Sequence, residues 1–345
     1  MHVLTELLGR EKTSQVDIGF DLAFLNNRLN FTVDYYSKTT KDLLIEIPIP
    51  GSVGIPGNTA LQNAGSIENK GFEFQVITKN ITKGDLKWNT DFNIYFNKGK
   101  VLDIVGTKMH TGTVNPAGTS VNIALVQAGS PLGSFYGYIS EGVDPATGKI
   151  KYKDLNGDNV INGNDQTIIG NANPKYTFGL SNSFSYKNFS LDIFFQGVQG
   201  NDIFNATRIL TESMSLPMNQ SAVVLDRWHA AGDITNVPGV SPHNWDNSNV
   251  SSRFVEDGSY VRLKALTLGY SLPEKMIKKV KMSRCMFYLT AENLLTFTNY
   301  SGFDPEVSMF SGSSRGATNQ NTAPGVDYGT YPQSRDIIIG ANISF

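Results

Sequence analysis

The chain consists largely of segments in which apolar and polar residues alternate with a period of two. In LNFTVDYY, residues 29–36, every second residue is apolar and the residues between them include Asn, Thr and Asp. Successive side chains of a β-strand point to opposite faces, so each such segment is predicted to be a strand with one apolar and one polar face. The nine predicted strands span residues 16–24, 29–36, 69–79, 86–96, 176–186, 188–199, 258–271, 284–298 and 333–345.

The connections between these strands are short and long in strict alternation. The short connections are 25–28, 80–85, 187 and 272–283, and the long ones are 39–68, 99–174, 200–257 and 299–332. A β-sandwich has no reason to sort its loops by length, whereas outer-membrane barrels have short periplasmic turns and long outer loops. The polar faces suit a water-filled interior and the apolar faces suit lipid. The predicted fold class is therefore all-β, a transmembrane antiparallel β-barrel with its long loops outside the cell.

The last segment, DIIIGANISF at 336–345, alternates up to its final residue. The apolar side chains predicted to share its lipid-facing side are Ile337, Ile339, Ala341, Ile343 and Phe345. Nine strands do not close a barrel of even strand number, and a sheet of nine would leave two open edges in hydrocarbon. Residues 1–345 are therefore expected to be the C-terminal part of a larger barrel, or one piece of an assembly.

Composition and isolated motifs argue against several other classes of protein. The net charge of -2 gives no reason to expect nucleic acid, and the longest apolar run, CMFYL, is too short for a transmembrane helix. The single cysteine, Cys285, excludes an internal disulfide, and the four histidines lack the spacing of a zinc site. GSSRG at 312–316 matches the G-x-S-x-G pattern of hydrolases, but loop sequence follows it where that pattern needs a helix. No enzyme activity is expected.

The segment DLNGDNVINGND at 154–165 has the oxygen spacing of a calcium-binding loop. Calcium prefers oxygen ligands, and such loops supply them from side chains and one backbone carbonyl. The candidate ligands are Asp154, Asn156, Asp158, the carbonyl of Val160, and Asp165. Asn159 stands where glycine is usual, and asparagine tolerates positive φ better than most residues. Two interpretations stay open: a Ca²⁺ site, and an Asx-rich turn satisfied by its own backbone.

Aromatic residues in two of the long loops are candidate contacts for a ligand or a partner protein. They are Trp228 and Trp245 in 200–257, and Tyr300, Phe303 and Phe310 in 299–332. Exposed aromatic rings stack on sugar faces or anchor a partner. The alternative is that these rings pack a long loop on itself.

Six stretches, in the same order along the chain, resemble SusC/RagA-like TonB-dependent outer-membrane transporters. They are TSQVDIGFDLAFLNNRLNFTVDYYSKTTKDLL, NAGSIENKGFEF, GSFYGY, DLNGDNVINGNDQTIIGNANPKYTFGLSNSF, SYVRLKALTLGYSLP and AENLLTFTNYSGFDPEV. The resemblance covers nearly the whole chain. It implies a barrel of twenty-two strands closed by an N-terminal plug. This chain would contribute about nine of those strands, without the plug.

The resemblance also implies a location, partners and a cargo. The location would be the outer membrane of a Gram-negative bacterium, with lipid around the barrel. The partners would be a SusD-like lipoprotein and the TonB complex, and the cargo would be glycans or oligopeptides. The signal peptide, the TonB-contacting box, the plug and the first part of the barrel are expected to lie outside this chain. The terminal apolar residues, Ile337 to Phe345, would be the signal that the barrel-insertion machinery reads.

The alternative for the whole chain is a soluble, calcium-binding, β-rich adhesion or carbohydrate-binding module. It would share the strands and the calcium-like loop, but its apolar faces would have to pack inward. Dependence on detergent would separate the two possibilities.

Overall fold

The computed structural model describes residues 8–48, 52, 54, 59–106, 108–115, 120–215, 217–240, 245–278, 281–307 and 323–345. The first ten strands are β1 (Lys12–Phe24), β2 (Leu29–Lys41), β3 (Leu44–Pro48), β4 (Thr59–Asn63), β5 (Gly65–Ile81), β6 (Leu86–Ile104), β7 (Met109–Val114), β8 (Val121–Val126), β9 (Ser134–Tyr138) and β10 (Ser140–Val143). The others are β11 (Ile150–Tyr152), β12 (Gln166–Asn171), β13 (Tyr176–Tyr186), β14 (Phe189–Gln199), β15 (Asp202–Asn205), β16 (Val255–Asp257), β17 (Tyr260–Ser271), β18 (Arg284–Thr298), β19 (Val326–Asp327) and β20 (Asp336–Ser344). The α-helices within the described residues are α1 (Thr207–Glu212) and α2 (Glu274–Ile277). Among these residues, no helix is long and apolar enough to cross a membrane.

Nine strands form one antiparallel sheet, in the order β1-β2-β5-β6-β13-β14-β17-β18-β20. They are the nine predicted strands, and each pairs with its neighbours in that order, for example Phe20 with Val33. The short connections join β1 to β2, β5 to β6, β13 to β14 and β17 to β18. The long connections therefore all leave from the opposite end of the sheet. Among the described residues, β1 and β20 each pair on one side only.

Four strands extend at least four residues past their predicted ends toward the long connections. β1 begins at Lys12, β2 continues to Lys41, β5 begins at Gly65 and β6 continues to Ile104. At the end of β6, Val101 and Ile104 are buried against Val126 of the following long connection. The simple alternation stops there because Val101 and Ile104 lie on the otherwise polar face of β6, the face of Tyr95, and pack against protein there.

An aromatic band lies on the apolar face of the sheet, close to the short turns. Trp88 stacks on Phe184 with ring centroids 5.5 Å apart, and Phe189 contacts Tyr270 at 4.8 Å. Barrels of the outer membrane carry such aromatic residues where the apolar band meets the lipid headgroups. The band therefore lies where the predicted barrel would have its membrane boundary on the short-turn side.

On the polar face, a tyrosine crosses a glycine and ties three strands together. Tyr36 on β2 reaches past Gly71 on β5, and its hydroxyl lies 2.6 Å from that of Tyr95 on β6. A Cβ atom at Gly71 would lie 2.0 Å from the backbone oxygen of Phe96 and 2.8 Å from the Tyr36 hydroxyl. Only glycine leaves room for this close approach.

Candidate functional site

Three of the four long connections, 99–174, 200–257 and 299–332, fold together at one end of the sheet. Their shared apolar core consists of Val114, Ile123, Ala124 and Phe135 from 99–174, Phe204, Ala206, Ile209, Val250 and Phe254 from 200–257, and Ala323 and Val326 from 299–332. The ring of Phe204 contacts that of Phe135 at 5.9 Å and that of Phe254 at 6.1 Å. Residues far apart in sequence thus bury one another, as in the core of a folded domain. We call this structure the loop assembly.

Backbone pairing also joins the loop assembly. One small sheet has the order β12-β9-β8-β7, all within 99–174. A second has the order β16-β15-β19, in which β19 of the last long connection pairs parallel with β15 of the preceding one. The connections that the sequence analysis treated as loops are therefore held by both core packing and sheet hydrogen bonds.

A charged network links 200–257 to 299–332. Arg208 donates to both oxygens of Glu212, at 2.7 and 3.0 Å, and to Glu256 at 3.0 Å. Arg253 donates to Glu212 at 3.1 Å. The backbone N–H and the hydroxyl of Ser301 both donate to Glu256 at 2.9 Å. Burial raises the pKa of Glu256, but these hydrogen bonds and the Arg208 charge outweigh it and hold the pKa below its ordinary value.

A second ionic group attaches the last long connection to the inner wall of the sheet. Arg262, on the polar face of β17, is almost fully buried and donates to Asp304 at 2.6 Å and to Glu306 at 2.9 Å. Its Nε donates to the hydroxyl of Thr296 on β18 at 2.9 Å, and Lys264 donates to Glu306 at 2.9 Å. We call Arg262, Asp304 and Glu306 the Arg262 clamp.

The Asp304 carboxylate is the best-satisfied acceptor of the clamp. Besides Arg262, the backbone N–H groups of Gln333 and Glu306 donate to it, at 3.0 and 2.8 Å. Burial raises the pKa of Asp304, but these donors outweigh that effect, so the pKa lies below its ordinary value. The Asp304 carboxylate is therefore ionised at neutral pH.

A cavity of about 390 Å³ lies beside the clamp. Its lining includes Phe303, Asn293, Gln333 and Arg335. Phe303 is 79% exposed, and the buried Oδ1 of Asn293 has no hydrogen-bond partner within the described residues. An exposed ring next to amide and guanidinium groups can stack on a sugar or hold a peptide.

The aromatic residues predicted to contact a ligand or partner differ in their burial in the structure. Trp228 is half-buried and its Nε1 donates to the carbonyl of Pro145 at 2.8 Å. Tyr300 is buried, its hydroxyl donates to Asp327 at 2.5 Å, and burial raises its pKa. These two rings pack the loop assembly, while Phe303 faces outward. The Trp245 side chain, Phe310 and the GSSRG segment lie outside the described residues.

In the predicted calcium loop, the side-chain oxygens accept backbone N–H groups of the loop itself. Asp154 accepts from Gly157 and Asn159, each at 2.7 Å, and Asp158 accepts from Val160 at 2.8 Å. Asn159 has φ of 63°, the positive value expected at its position. The Asx-turn geometry is thus present.

The remaining candidate ligands follow the same pattern. Asn156 accepts from the N–H of Asp158 at 2.9 Å. Asp165 is buried and accepts from Asn162 at 2.8 Å and Leu155 at 2.9 Å, and these bonds lower its pKa. In the part of the chain that the structure describes, no three His, Cys, Asp or Glu side chains form a metal-binding group. Calcium binding therefore stays a prediction.

The predicted assembly residues lie on the last strand of the sheet. Ile337, Ile339, Ala341 and Ile343 lie on β20, on the face that carries the apolar residues of β18, and Phe345 follows the strand. All five are exposed in this chain. Their role as a signal for insertion stays a prediction.

The clamp and the charged network were not identified from the sequence. Arg262 lies in SYVRLKALTLGYSLP, and Asp304 and Glu306 lie in AENLLTFTNYSGFDPEV, two stretches that carry the family resemblance. The sequence shows only that Arg262 lies on the polar face of a predicted strand and that Asp304 and Glu306 are two residues apart. That these side chains form ion pairs becomes visible only in the folded structure.

Comparison with known proteins identifies relatives along almost the whole chain. The sequence model described as "TonB dependent receptor-like, beta-barrel" matches residues 6–294. TonB-dependent receptor P3 of Formosa agariphila is 36% identical over 353 residues, which cover 97% of this chain and 34% of that protein. TonB-dependent receptor SusC of Bacteroides thetaiotaomicron is 26% identical, with 99% of this chain and 32% of that protein covered.

A solved structure has the same arrangement of strands. The structure of the RagAB peptide transporter matches with a TM-score of 0.79 and 28% identity, covering 97% of this chain and 35% of the matched chain. This chain thus spans about a third of the length of its relatives. The predicted SusC/RagA resemblance and the predicted fold, part of a β-barrel, are confirmed. The chain belongs to the TonB dependent receptor-like, beta-barrel family.

Proposed function

We propose that this chain is the C-terminal barrel portion of an outer-membrane importer that takes up glycans or oligopeptides. A SusD-like lipoprotein would bind the loop assembly from outside, and TonB would drive transport through parts of the protein that lie outside this chain. The protein would not be an enzyme. The observation that carries the proposal is the loop assembly itself, because it packs three of the long connections of a family barrel around one core at the same end of the sheet.

The relatives support the proposal at the level of class. SusC is named a TonB-dependent receptor, and the RagAB structure is titled a peptide transporter. The cavity beside the Arg262 clamp, with its exposed Phe303, offers a contact for a sugar or a peptide at the same end of the sheet. Family membership and the nine-stranded antiparallel sheet argue against the soluble adhesion module.

Disrupting the core of the loop assembly is expected to abolish uptake while sparing the barrel. In the complete protein, Phe204→Ala removes a fully buried ring, which costs about 3–5 kcal/mol. We expect loss of the co-purifying lipoprotein and of uptake of the glycan or oligopeptide that requires this gene, with heat-modifiable barrel still in the outer membrane. Phe189→Ala, the same truncation at an exposed position near the short turns, is the control.

Two results would contradict the proposal. One is normal uptake of glycans and oligopeptides in cells that lack the gene or TonB. The other is wild-type uptake and partner recovery in Phe204→Ala protein whose loop assembly has become protease-sensitive.

We further propose that the 154–165 loop binds Ca²⁺ weakly, with a dissociation constant on the order of 10⁻⁴–10⁻³ M. The donor set consists of oxygens, and Asn159 adopts the positive φ that such a loop needs. Asp154→Asn with Asp158→Asn keeps an acceptor oxygen at each position but removes two negative charges. Proteolysis of this loop should be slower in calcium than in chelator for the wild type, and calcium-independent in the double variant.

Asp144→Ala is the control for this experiment. Asp144 accepts the N–H of Ala146 in a neighbouring Asx turn, outside the predicted site. Its replacement should leave the calcium dependence of the 154–165 loop unchanged. Equal cleavage of the wild type with and without calcium would show that the loop is a turn only.

A further inference from the structure

A second cavity, of about 280 Å³, lies within the loop assembly between two of the long connections. It is lined by Ser140, Gly142, Arg208, Asn236, Ser252 and Arg253. Among the described residues, this lining contains two guanidinium groups and two hydroxyls but no carboxylate. The groups that face the cavity are therefore hydrogen-bond donors, and the charges of the two arginines are balanced by Glu212 and Glu256.

The two arginines are held in place from behind. Glu212, which is buried, accepts from both Arg208 and Arg253, and Glu256 accepts from Arg208. Both guanidinium groups also lie over the ring of Phe254, 5.9 Å from its centroid. The two side chains are thus fixed mainly by Glu212, Glu256 and Phe254, which do not line the cavity, so a ligand would meet groups already in position.

The free donors of this pair belong mainly to Arg253, because Arg208 already donates to Glu212, to Glu256 and to the backbone carbonyl of Arg253. A guanidinium has five N–H groups. For Arg253, two acceptors are recorded within the described residues, Glu212 and the backbone carbonyl of Asn236. Ser252 accepts the N–H of Ser140 at 2.9 Å, which leaves its own hydroxyl hydrogen to donate.

We propose that this cavity is a subsite for an oxyanion, a carboxylate or sulfate group carried by the imported molecule. Guanidinium groups recognise such anions through paired N–H···O bonds. The serine hydroxyls supply further donors, and the carboxylates of Glu212 and Glu256 already bind the arginines. This inference rests on the proposed function in one respect, that the oxyanion belongs to an imported molecule. Binding of the oxyanion itself can be measured without any transport.

Asn236 allows the site to be tested without dismantling it. It is exposed at the cavity, and in the described structure its backbone carbonyl, not its side chain, bonds to Arg253. Asn236→Asp should place a negative charge beside the ligand and weaken its binding roughly tenfold. Asn236→Lys should strengthen binding, and Asn236→Ala should change it less than twofold.

The experiment is calorimetric titration of the complete, detergent-purified protein at constant ionic strength. The probes are glucuronate, glucose 6-sulfate, inorganic phosphate and neutral glucose. Carboxylate and sulfate probes that bind, and that respond to the Asn236 series, support the site, and their relative affinities identify the preferred group. A phosphate preference instead would point to a ligand other than a carboxylated or sulfated cargo and overturn the assignment.

Asn219→Asp is the matched control, because Asn219 is also exposed in 200–257 but does not line the cavity. The site is refuted if Asn236→Asp weakens binding no more than Asn219→Asp, if glucose binds as well as the anions, or if no anion binds. Any of these results with uptake intact would leave the proposed import function standing.

Discussion

Replacing Asp304 with asparagine is expected to detach the last long connection from the barrel wall. The change leaves the buried guanidinium of Arg262 with Glu306 as its remaining carboxylate partner. Removing one partner of a buried ion pair costs about 3 kcal/mol or more, because the other charge stays buried without full compensation. In the complete protein, the segment around 299–335 should become protease-sensitive and the first thermal transition in detergent should move to lower temperature.

An exposed ion pair provides the control for this prediction. Glu274 and Lys278 on the short-turn side form a bridge of 2.9 Å in which both side chains are more than 70% exposed. Glu274→Gln should have almost no effect, because exposed pairs contribute little. Arg262→Met combined with Asp304→Leu should recover much of the loss, since no charge of that pair remains buried. Equal stability of Asp304→Asn and Glu274→Gln would show that the clamp does not hold the connection.

The clamp also predicts a pH dependence. Because the pKa of Asp304 is lowered in the folded protein, its contribution is fully present above the ordinary carboxyl pKa of about 3.9 and is lost as pH falls through the lowered pKa. The wild-type connection should therefore stay protected at mildly acidic pH. In Asp304→Asn, protection of this connection should not change as the pH falls through that range, because asparagine does not titrate there.

The sheet could be predicted from the sequence because each strand lies between two different solvents. Because one face meets lipid and the other meets water, apolar and polar residues alternate along each strand. This alternation can be recognised in the sequence even when the neighbouring strands are unknown. The alternation fails where that condition ends. Val101 and Ile104 pack against Val126 of the loop assembly, so the end of β6 did not have the expected pattern.

The loop assembly could not be predicted in the same way. Phe135, Phe204 and Phe254 meet in one core although they lie in different connections or far apart within one. A buried aromatic ring in a long loop and an exposed one look alike in sequence. Tyr300 and Phe303 are three residues apart, and one is buried while the other faces outward.

The strongest remaining test concerns the end of the chain. Ile343→Asp in the complete protein is expected to reduce the amount of barrel in the outer membrane severely. Ile343 lies on the apolar face of β20, opposite Cys285, at the short-turn end of the sheet. A charge on the lipid face near a membrane interface costs only about 0–1 kcal/mol. This cost is too small to prevent a folded barrel from staying in the outer membrane. A severe loss would therefore reflect failed recognition by the insertion machinery.

Leu86→Asp separates recognition from simple lipid exposure. Leu86 begins β6 at the same end of the sheet, and it is 41% exposed where Ile343 is 46% exposed. The two substitutions should thus carry similar lipid penalties, but only Ile343 belongs to the terminal strand. We expect heat-modifiable barrel near wild-type levels for Leu86→Asp, and strongly reduced levels for Ile343→Asp and for deletion of Phe345. Equal levels in all three variants would show that the terminal apolar face is ordinary lipid-facing surface. A recognition signal confined to β20 would not be affected by a substitution in β6.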